Sequence, residues 1–384
     1  MPHSNLSDLQ VVEIAETYGA AFGGRLVAEA GIPVLRIECS DEPALQAMPP
    51  MGPGGQSIPY RSANGKKACV RIDPSTTDGK ELIERLIGSS DAFITDQDAW
   101  WSAQSGKVTC RVQTFPDDVE LAYELPSYDV AIQAQSGAIS MTGRVGGPPV
   151  PIGFPIGDIA PGVYAAMGVL QGLIEGRRQG LTIHALDSTV SLLSYLGCSY
   201  IAAGEEPGFI GSGHPHIVPY GAFPASDGYV IIAGFTQDFW RKLCRMLDRE
   251  DLIENPKYKT FVDRRDNREE LNALLAELFR TDTVEHWVAK LDEADVPNAP
   301  IYSMRQALDQ RVVSQRDMII EVDGIPMLNS PIIDVENPHG AGSRPPIDRD
   351  LNGALGRLGV NESEFEELQA AGVVATWSPA GASI

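Results

Sequence analysis

The stretch LQVVEIAETYGAAFGGRLVAEAGIPVLRIE, residues 9–38, decides the fold class. Val11 to Ile14 is a short apolar run rich in β-branched residues, which predicts a strand. Ala20 to Ala30 carries apolar residues at helical spacing, Gly31 ends the helix, and Val34 to Ile37 is a second strand. Strand, helix and strand in this order make a βαβ unit, which implies a parallel sheet with both faces covered. The glycines at 19, 23 and 24 do not fit GxGxxG, so no dinucleotide site is assigned.

A second unit follows, with ACVRID as a strand, TTDGKELIERLIGSSD as a helix and AFIT as another strand; residues 96–126 read as polar, short-strand material. YDVAIQAQSGAIS reads as a buried helix, and APGVYAAMGVLQGLIEGRRQG as a helix with Pro161 in its first turn, where a missing N–H is harmless. Near 205–219 the composition turns to glycine and proline, and a domain boundary is expected there. YGAFPASDGYVIIAG then reads as a hairpin with a Ser-Asp-Gly turn. Helices are expected at 236–248, 263–279 and 283–294, with Asp282 and Glu285 as a capping pair and Ser303–Gln306 as a capping box.

The chain has 384 residues, 43% hydrophobic and 21% charged, which suits a folded protein of two domains. Fifty-two acids against thirty Lys and Arg give a formal charge of -22, which excludes nucleic acid and anionic membrane as ready partners. The five cysteines include no CxxC pair, so neither a disulfide framework nor a zinc site is expected, and a reducing compartment fits. With no signal pattern and no long apolar run, the expected location is the cytoplasm.

Chemistry concentrates in two places. GFPIGDIAPGVYAAMG, residues 153–168, sets one acid, Asp158, in an otherwise uncharged run. Read from the pattern, Asp158 stands just before a helix and caps it. It also has the makings of a nucleophile, because a carboxylate can attack an activated acyl group and keep its energy in a mixed anhydride. GFIGSGHP, residues 208–215, holds Gly211-Ser212-Gly213, which reads either as an interdomain linker or as a loop whose backbone N–H groups approach a ligand. His214 and His216 lack neighbouring ligands for a metal, so no metal is expected. Lys66 and Lys67 read as a solvated turn or a phosphate contact, Tyr128-Asp129 as a helix start, and Tyr18 as a residue of a βα turn, where open α/β sheets bind ligands.

These blocks together resemble the family III CoA-transferases, which include formyl-CoA and carnitine CoA-transferases and, more distantly, α-methylacyl-CoA racemase. The likeness runs from residues 11–38 through YDVAIQAQSGAISMTGRVGGPPVPIGFPIGDIAPGVYAAMGVLQGL and GSGHPHIVPYGAFPASDGYVIIA to ELQAAGVV near the end. It implies that Asp158 is the nucleophile, that Gly211-Ser212-Gly213 is a loop closing over the site, and that Tyr18, Lys67, Tyr128 and Asp129 border coenzyme A. It further implies a Rossmann-like large domain built from both chain ends (1–205 and 326–384), a linker and small α+β domain (206–325), and an interlocked homodimer. Acyl-CoA and a carboxylic acid are the implied substrates.

Departures shape the expectation. The racemase branch carries a catalytic His where Tyr128 stands, which favours acyl transfer over racemisation. Tyr18 replaces the Gln of formyl-CoA transferases and points away from formate and oxalate. Lys67 survives in a stretch that loses two arginines, and TDQDAWW replaces the usual Glu-Asn-Phe-x-Pro-Gly turn. That places Asp96 where CoA phosphates are expected, and an acid there weakens anion binding. A CoA-ester isomerase and a non-catalytic partner of a related chain stay open as alternatives.

Overall fold

The computed structural model describes residues 5–40, 43–103, 107–116, 128–176, 179–234, 236–333 and 348–376. The chain divides into two compact bodies: 1–138, 152–197 and 311–384 form the first, and 139–151 with 198–310 the second. The expected changeovers at 205 and 326 stand beside observed ones at 197–198 and 310–311.

In the first body the chain runs β1 (Val11–Ile14), α1 (Tyr18–Glu29), β2 (Val34–Glu38), α2 (Ile58–Asn64), β3 (Ala68–Ile72), α3 (Thr77–Ser89), β4 (Ala92–Thr95) and β5 (Val108–Gln113). It continues through α4 (Asp129–Gln135), α5 (Ile156–Glu175), β6 (Gln179–His184) and α6 (Ala185–Ser191). The strands stand in the order β3-β2-β1-β4-β5-β6, all parallel, and Val374–Thr376 adds an antiparallel edge beside β3. This is the doubly wound order, and the C-terminal strand joins both chain ends in one sheet as expected. The strand order reverses between β1 and β4, which opens a crevice at the carboxyl ends of those two strands.

Alternate strand residues feed two cores. Val12, Leu35, Val70 and Phe93 pack with Leu82 and Leu86 of α3, while Val11, Val34, Ile94 and Cys110 pack with Val27 of α1 and Val169 of α5. Each fully buried side chain of this size stabilises the fold by about 1.5–3 kcal/mol. Helices α1 and α5 touch through glycine. A Cβ on Gly19 would stand 2.7 Å from the Asp158 carbonyl oxygen, and one on Gly162 2.6 Å from the Gly19 carbonyl oxygen. Only hydrogen at these positions lets the head of α5 press against the β1–α1 turn.

Helix α5 differs from expectation at its start. It begins at Ile156, so Asp158 lies inside the first turn and Pro161 inside the helix. Having no N–H to donate to the preceding turn, Pro161 turns its ring to Gly19, where a Cβ would meet it at 3.3 Å. The Arg177-Arg178 continuation of this helix and residues 117–126 lie outside the described residues.

The second body is α+β. Strands Tyr220–Pro224, Tyr229–Ala233 and Asn298–Pro300 form an antiparallel sheet, and the first two join through the expected Ser226-Asp227-Gly228 turn. Helices Gln237–Met246, Arg268–Phe279 and Val284–Glu293 bury Trp240, Leu271, Phe279 and Trp287 against it. The cap of the last helix is Thr283, whose hydroxyl accepts from His286 N; Asp282 accepts instead from the adjacent Thr283 N. The Ser303–Gln306 capping box forms as expected.

Candidate active site

A cavity of about 90 Å³ opens at the β1/β4 crevice, and Asp158 and Asp96 both line it together with Thr17, Gly19 and Thr114. It lies at the reversal of strand order, where open α/β sheets hold ligands.

Asp158 does not cap α5. The capping position is Pro155, which offers no side-chain bond. The orphan amide of the first turn, Gly157 N–H, donates instead to Asp129 Oδ1 at 2.7 Å, from the first residue of α4. Gly157 is needed for that approach: a Cβ there would lie 2.8 Å from the Asp129 carbonyl oxygen. With the cap supplied from 28 residues away, the half-buried Asp158 carboxylate has no hydrogen-bond partner among the described residues. Burial, and then the negative charge of Asp129, push its pKa up to about 6. At neutral pH it is an ionised, poorly stabilised carboxylate facing a small cavity, and it is more basic than an ordinary aspartate.

Asp96 is arranged differently. Its carboxylate accepts from Glu16 N at 3.0 Å and Thr17 N at 2.6 Å, reaching from the end of β4 across the crevice to the β1–α1 turn. Burial raises its pKa, and those amide bonds oppose the rise. The acid expected to weaken anion binding thus fills the turn's own anion-binding amides.

The other expected residues are placed as follows. Tyr18 heads α1 next to the cavity, bonded to Ser62 Oγ at 3.1 Å and stacked on Phe22. Tyr128 precedes α4 and is 70% exposed. Lys67 is not on a solvated turn. It is 1% exposed, and its ammonium donates to Glu13 at 2.7 Å, Ala21 O at 2.7 Å and Asn64 Oδ1 at 2.8 Å. Those acceptors use all three ammonium protons. Burial lowers its pKa to about 8 against the pull of Glu13. Lys66 is buried as well, on Glu29 at 2.6 Å.

Gly211-Ser212-Gly213 belongs to the second body. Gly211 has φ +64, the left-handed region that favours glycine, and donates to Gly143 O at 3.0 Å; Ser212 Oγ accepts from Ala222 N at 2.9 Å. His214 Nδ1 accepts from His216 N, and burial lowers the pKa of His214. Among the described residues no cluster of His, Cys, Asp or Glu could hold a metal ion, and no helix is long and apolar enough to cross a membrane.

Thr17 and Thr114 of the cavity wall were not foreseen, nor was Gln133, whose amide donates to Asp129 Oδ2 at 2.8 Å. Gln133 was within reach, because it follows Asp129 by one helical turn and such pairs face each other.

The model of CoA-transferase family III matches residues 6–346. The chain is 28% identical to a succinyl-CoA:mesaconate CoA-transferase of Haloarcula marismortui, over 89% of this chain and 93% of that protein. It is 25% identical to the human succinyl-CoA:glutarate CoA-transferase, over 83% and 76%. A CAIB/BAIF family protein from Brucella suis superposes with a TM-score of 0.79 at 26% identity, covering 92% of this chain and 99% of that one. A family match over nearly the whole length, on a doubly wound sheet with a small α+β body, leaves one assignment: the chain belongs to CoA-transferase family III.

Proposed function

We propose that the protein moves CoA from an acyl-CoA donor to a carboxylic acid acceptor, with Asp158 as the nucleophile. The observation that carries this reading is the freedom of the Asp158 carboxylate, relieved of capping by Asp129 and raised to about 6. A carboxylate that spends no lone pair on backbone amides keeps them for a carbonyl carbon.

The steps balance as follows. An Asp158 oxygen attacks the donor thioester carbon, the C–S bond breaks, and an aspartyl-acyl anhydride and CoA thiolate result. The thiolate attacks the aspartyl carbonyl, releasing the donor acid with one aspartyl oxygen and leaving an aspartyl-CoA thioester. The acceptor carboxylate attacks that thioester and frees the thiolate again. Attack of the thiolate on the acceptor carbonyl then gives the new acyl-CoA and restores Asp158. No net proton or electron is consumed.

Shielding of these anhydrides by Gly211-Ser212-Gly213 is part of the proposal and is supported by the family likeness. So is the interlocked homodimer, in whose favour stand exposed apolar residues such as Ile174 at 86% and Ile201 at 84%. Sedimentation velocity decides it: a dimer at micromolar concentration supports the reading, and a monomer contradicts it.

The proposed activity is tested by incubating the protein with a panel of acyl-CoAs, quenching with hydroxylamine or borohydride, and locating mass changes by peptide mass spectrometry. Modification of the Asp158 peptide is the expected result. Modification elsewhere, or none with any donor, would overturn the proposal.

A further inference from the structure

We propose that Gln133 is a positioning residue for the nucleophile: by gripping Asp129 and the Ile152 amide at once, it keeps Asp129 on the Gly157 N–H and leaves the Asp158 carboxylate unbonded. The proposal rests on the reading of Asp158 as nucleophile and goes beyond it to the device that keeps that residue free.

Two segments, α4 and the run that leads into α5, meet at this side chain. Gln133 is fully buried, at 0% exposure. Its Nε2 donates to Asp129 Oδ2 at 2.8 Å, one turn earlier on α4. Its Oε1 accepts from Ile152 N at 2.9 Å, on the segment that leads into α5. Asp129 spends its other oxygen, Oδ1, on Gly157 N. Each carboxylate oxygen of Asp129 therefore has one assigned donor, and the path from Ile152 to Asp158 is pinned at both ends.

Removing the amide of Gln133 frees Asp129 Oδ2 and the Ile152 N–H together. Asp129 can then leave Gly157, and that N–H becomes available to Asp158, the acid next to it in sequence. An amide-bonded Asp158 is a weaker base and a weaker nucleophile, because the bond stabilises the very charge that must attack.

The titratable groups on the surrounding elements are Asp129 on α4, Asp96 beyond β4, Tyr18, Arg25 and Glu29 on α1, Arg111 on β5, Tyr164 and Glu175 on α5 itself, and the His184–Asp187 pair where β6 meets α6. Of these, Asp129 is the charge that acts on Asp158, adding to the larger effect of burial, so its placement contributes to the nucleophile's basicity.

The test compares the full-length protein with Gln133→Leu, Asp129→Asn and the double variant. One readout needs no substrate: carbodiimide labelling of the Asp158 peptide against pH, followed by mass spectrometry. The second is release of CoA thiol from succinyl-CoA in hydroxylamine. Expected for Gln133→Leu is a labelling midpoint about one pH unit below that of the parent, toward ordinary aspartate. Thiol release should fall about 10–100-fold in kcat with little change in KM, and the double variant should lose no more than the worse single one.

A midpoint unchanged in Gln133→Leu, with or without a lower melting temperature, would overturn the proposal, and so would strictly additive losses. If Gln133→Leu does not fold, Gln133→Glu carries the test. It retains an acceptor for Ile152 N, and its carboxyl donates to Asp129 only when protonated. Its thiol release relative to the parent should climb as pH falls, and a flat ratio contradicts the proposal. If the parent itself releases no thiol from any acyl-CoA, the proposed transfer fails, while the labelling midpoints still decide the role of Gln133.

Discussion

Two sets of carboxylates in the first body share burial and differ in company. Glu13, on β1, meets Lys67 at 2.7 Å and Arg36 at 2.6 Å, and Glu38 accepts from both Arg36 and the Tyr60 hydroxyl. Each of these four charged residues is at most 3% exposed. Asp158, at the head of α5, has a like charge nearby and, among the described residues, no cation or amide of its own. Saturated acids hold strands together, because removing one partner strands a buried charge. An unsatisfied acid at the mouth of a crevice stores its basicity for a substrate.

The contrast breaks most visibly in activity. Asp158→Asn should lower CoA transfer at least about 10⁴-fold, as loss of a covalent nucleophile does, with a folded protein by circular dichroism. A variant as active as the parent would dissolve the distinction between the two sets.

Next in size is the saturated set. Lys67→Met leaves Glu13 short of a counter-charge in the core and should cost about 3–5 kcal/mol of stability, read as a shift of the urea midpoint. If this variant is as stable as the parent and loses only CoA affinity, Lys67 is the coenzyme A contact that the resemblance implied, and the buried network carries no weight.

Asp158 also leaves a mark on stability with the opposite sign. Its folded pKa, about 6, is above the ordinary value of 3.8, so the folded state binds the proton more tightly. Stability contributed by the protonated form is present below about pH 4 and is lost as pH rises through about 6. Asp158→Asn should therefore raise stability at pH 7 by about 1–3 kcal/mol, and the gain should vanish near pH 3.5. Transfer by the parent should follow the other limb, rising with pH through about 6 as the carboxylate ionises. A limb centred near 4 would mean that Asp158 is stabilised like an ordinary surface acid.

The smallest effect sharpens the geometry. Gly157→Ala puts a methyl against Asp129 and should cost about 1–3 kcal/mol while displacing the cap. A tolerated alanine, with parental kcat, would show that Asp129 has room to hold Gly157 otherwise.

The fold was largely legible because its signals are local. Val11–Ile14, Val34–Glu38 and Ala92–Thr95 declare themselves by β-branched runs, and Gly31 by a helix end. The site was legible only in part, and the failures share a cause. Asp158 looked like a cap because a first-turn acid usually is one, and the residue that displaces it stands 28 positions before the Gly157 amide it holds. Lys67 looked solvated because its partner Glu13 arrives through sheet formation, 54 positions away. Asp96 looked like a hindrance to phosphate, and its bonds to Glu16 and Thr17 exist only once β4 lies beside β1. Gln133 alone was readable, one turn from Asp129 on the same helix.

The most direct measurement follows oxygen. In the proposed cycle the acceptor carboxylate delivers one of its oxygens to Asp158 each time the last thioester forms. With an acceptor acid carrying heavy oxygen in both carboxylate positions and an unlabelled acyl-CoA, the Asp158 peptide should become heavier by one labelled oxygen after a single turnover. Product formed with the second labelled oxygen in the released donor acid or in the water, and an unlabelled Asp158 peptide, would contradict covalent participation of this carboxylate.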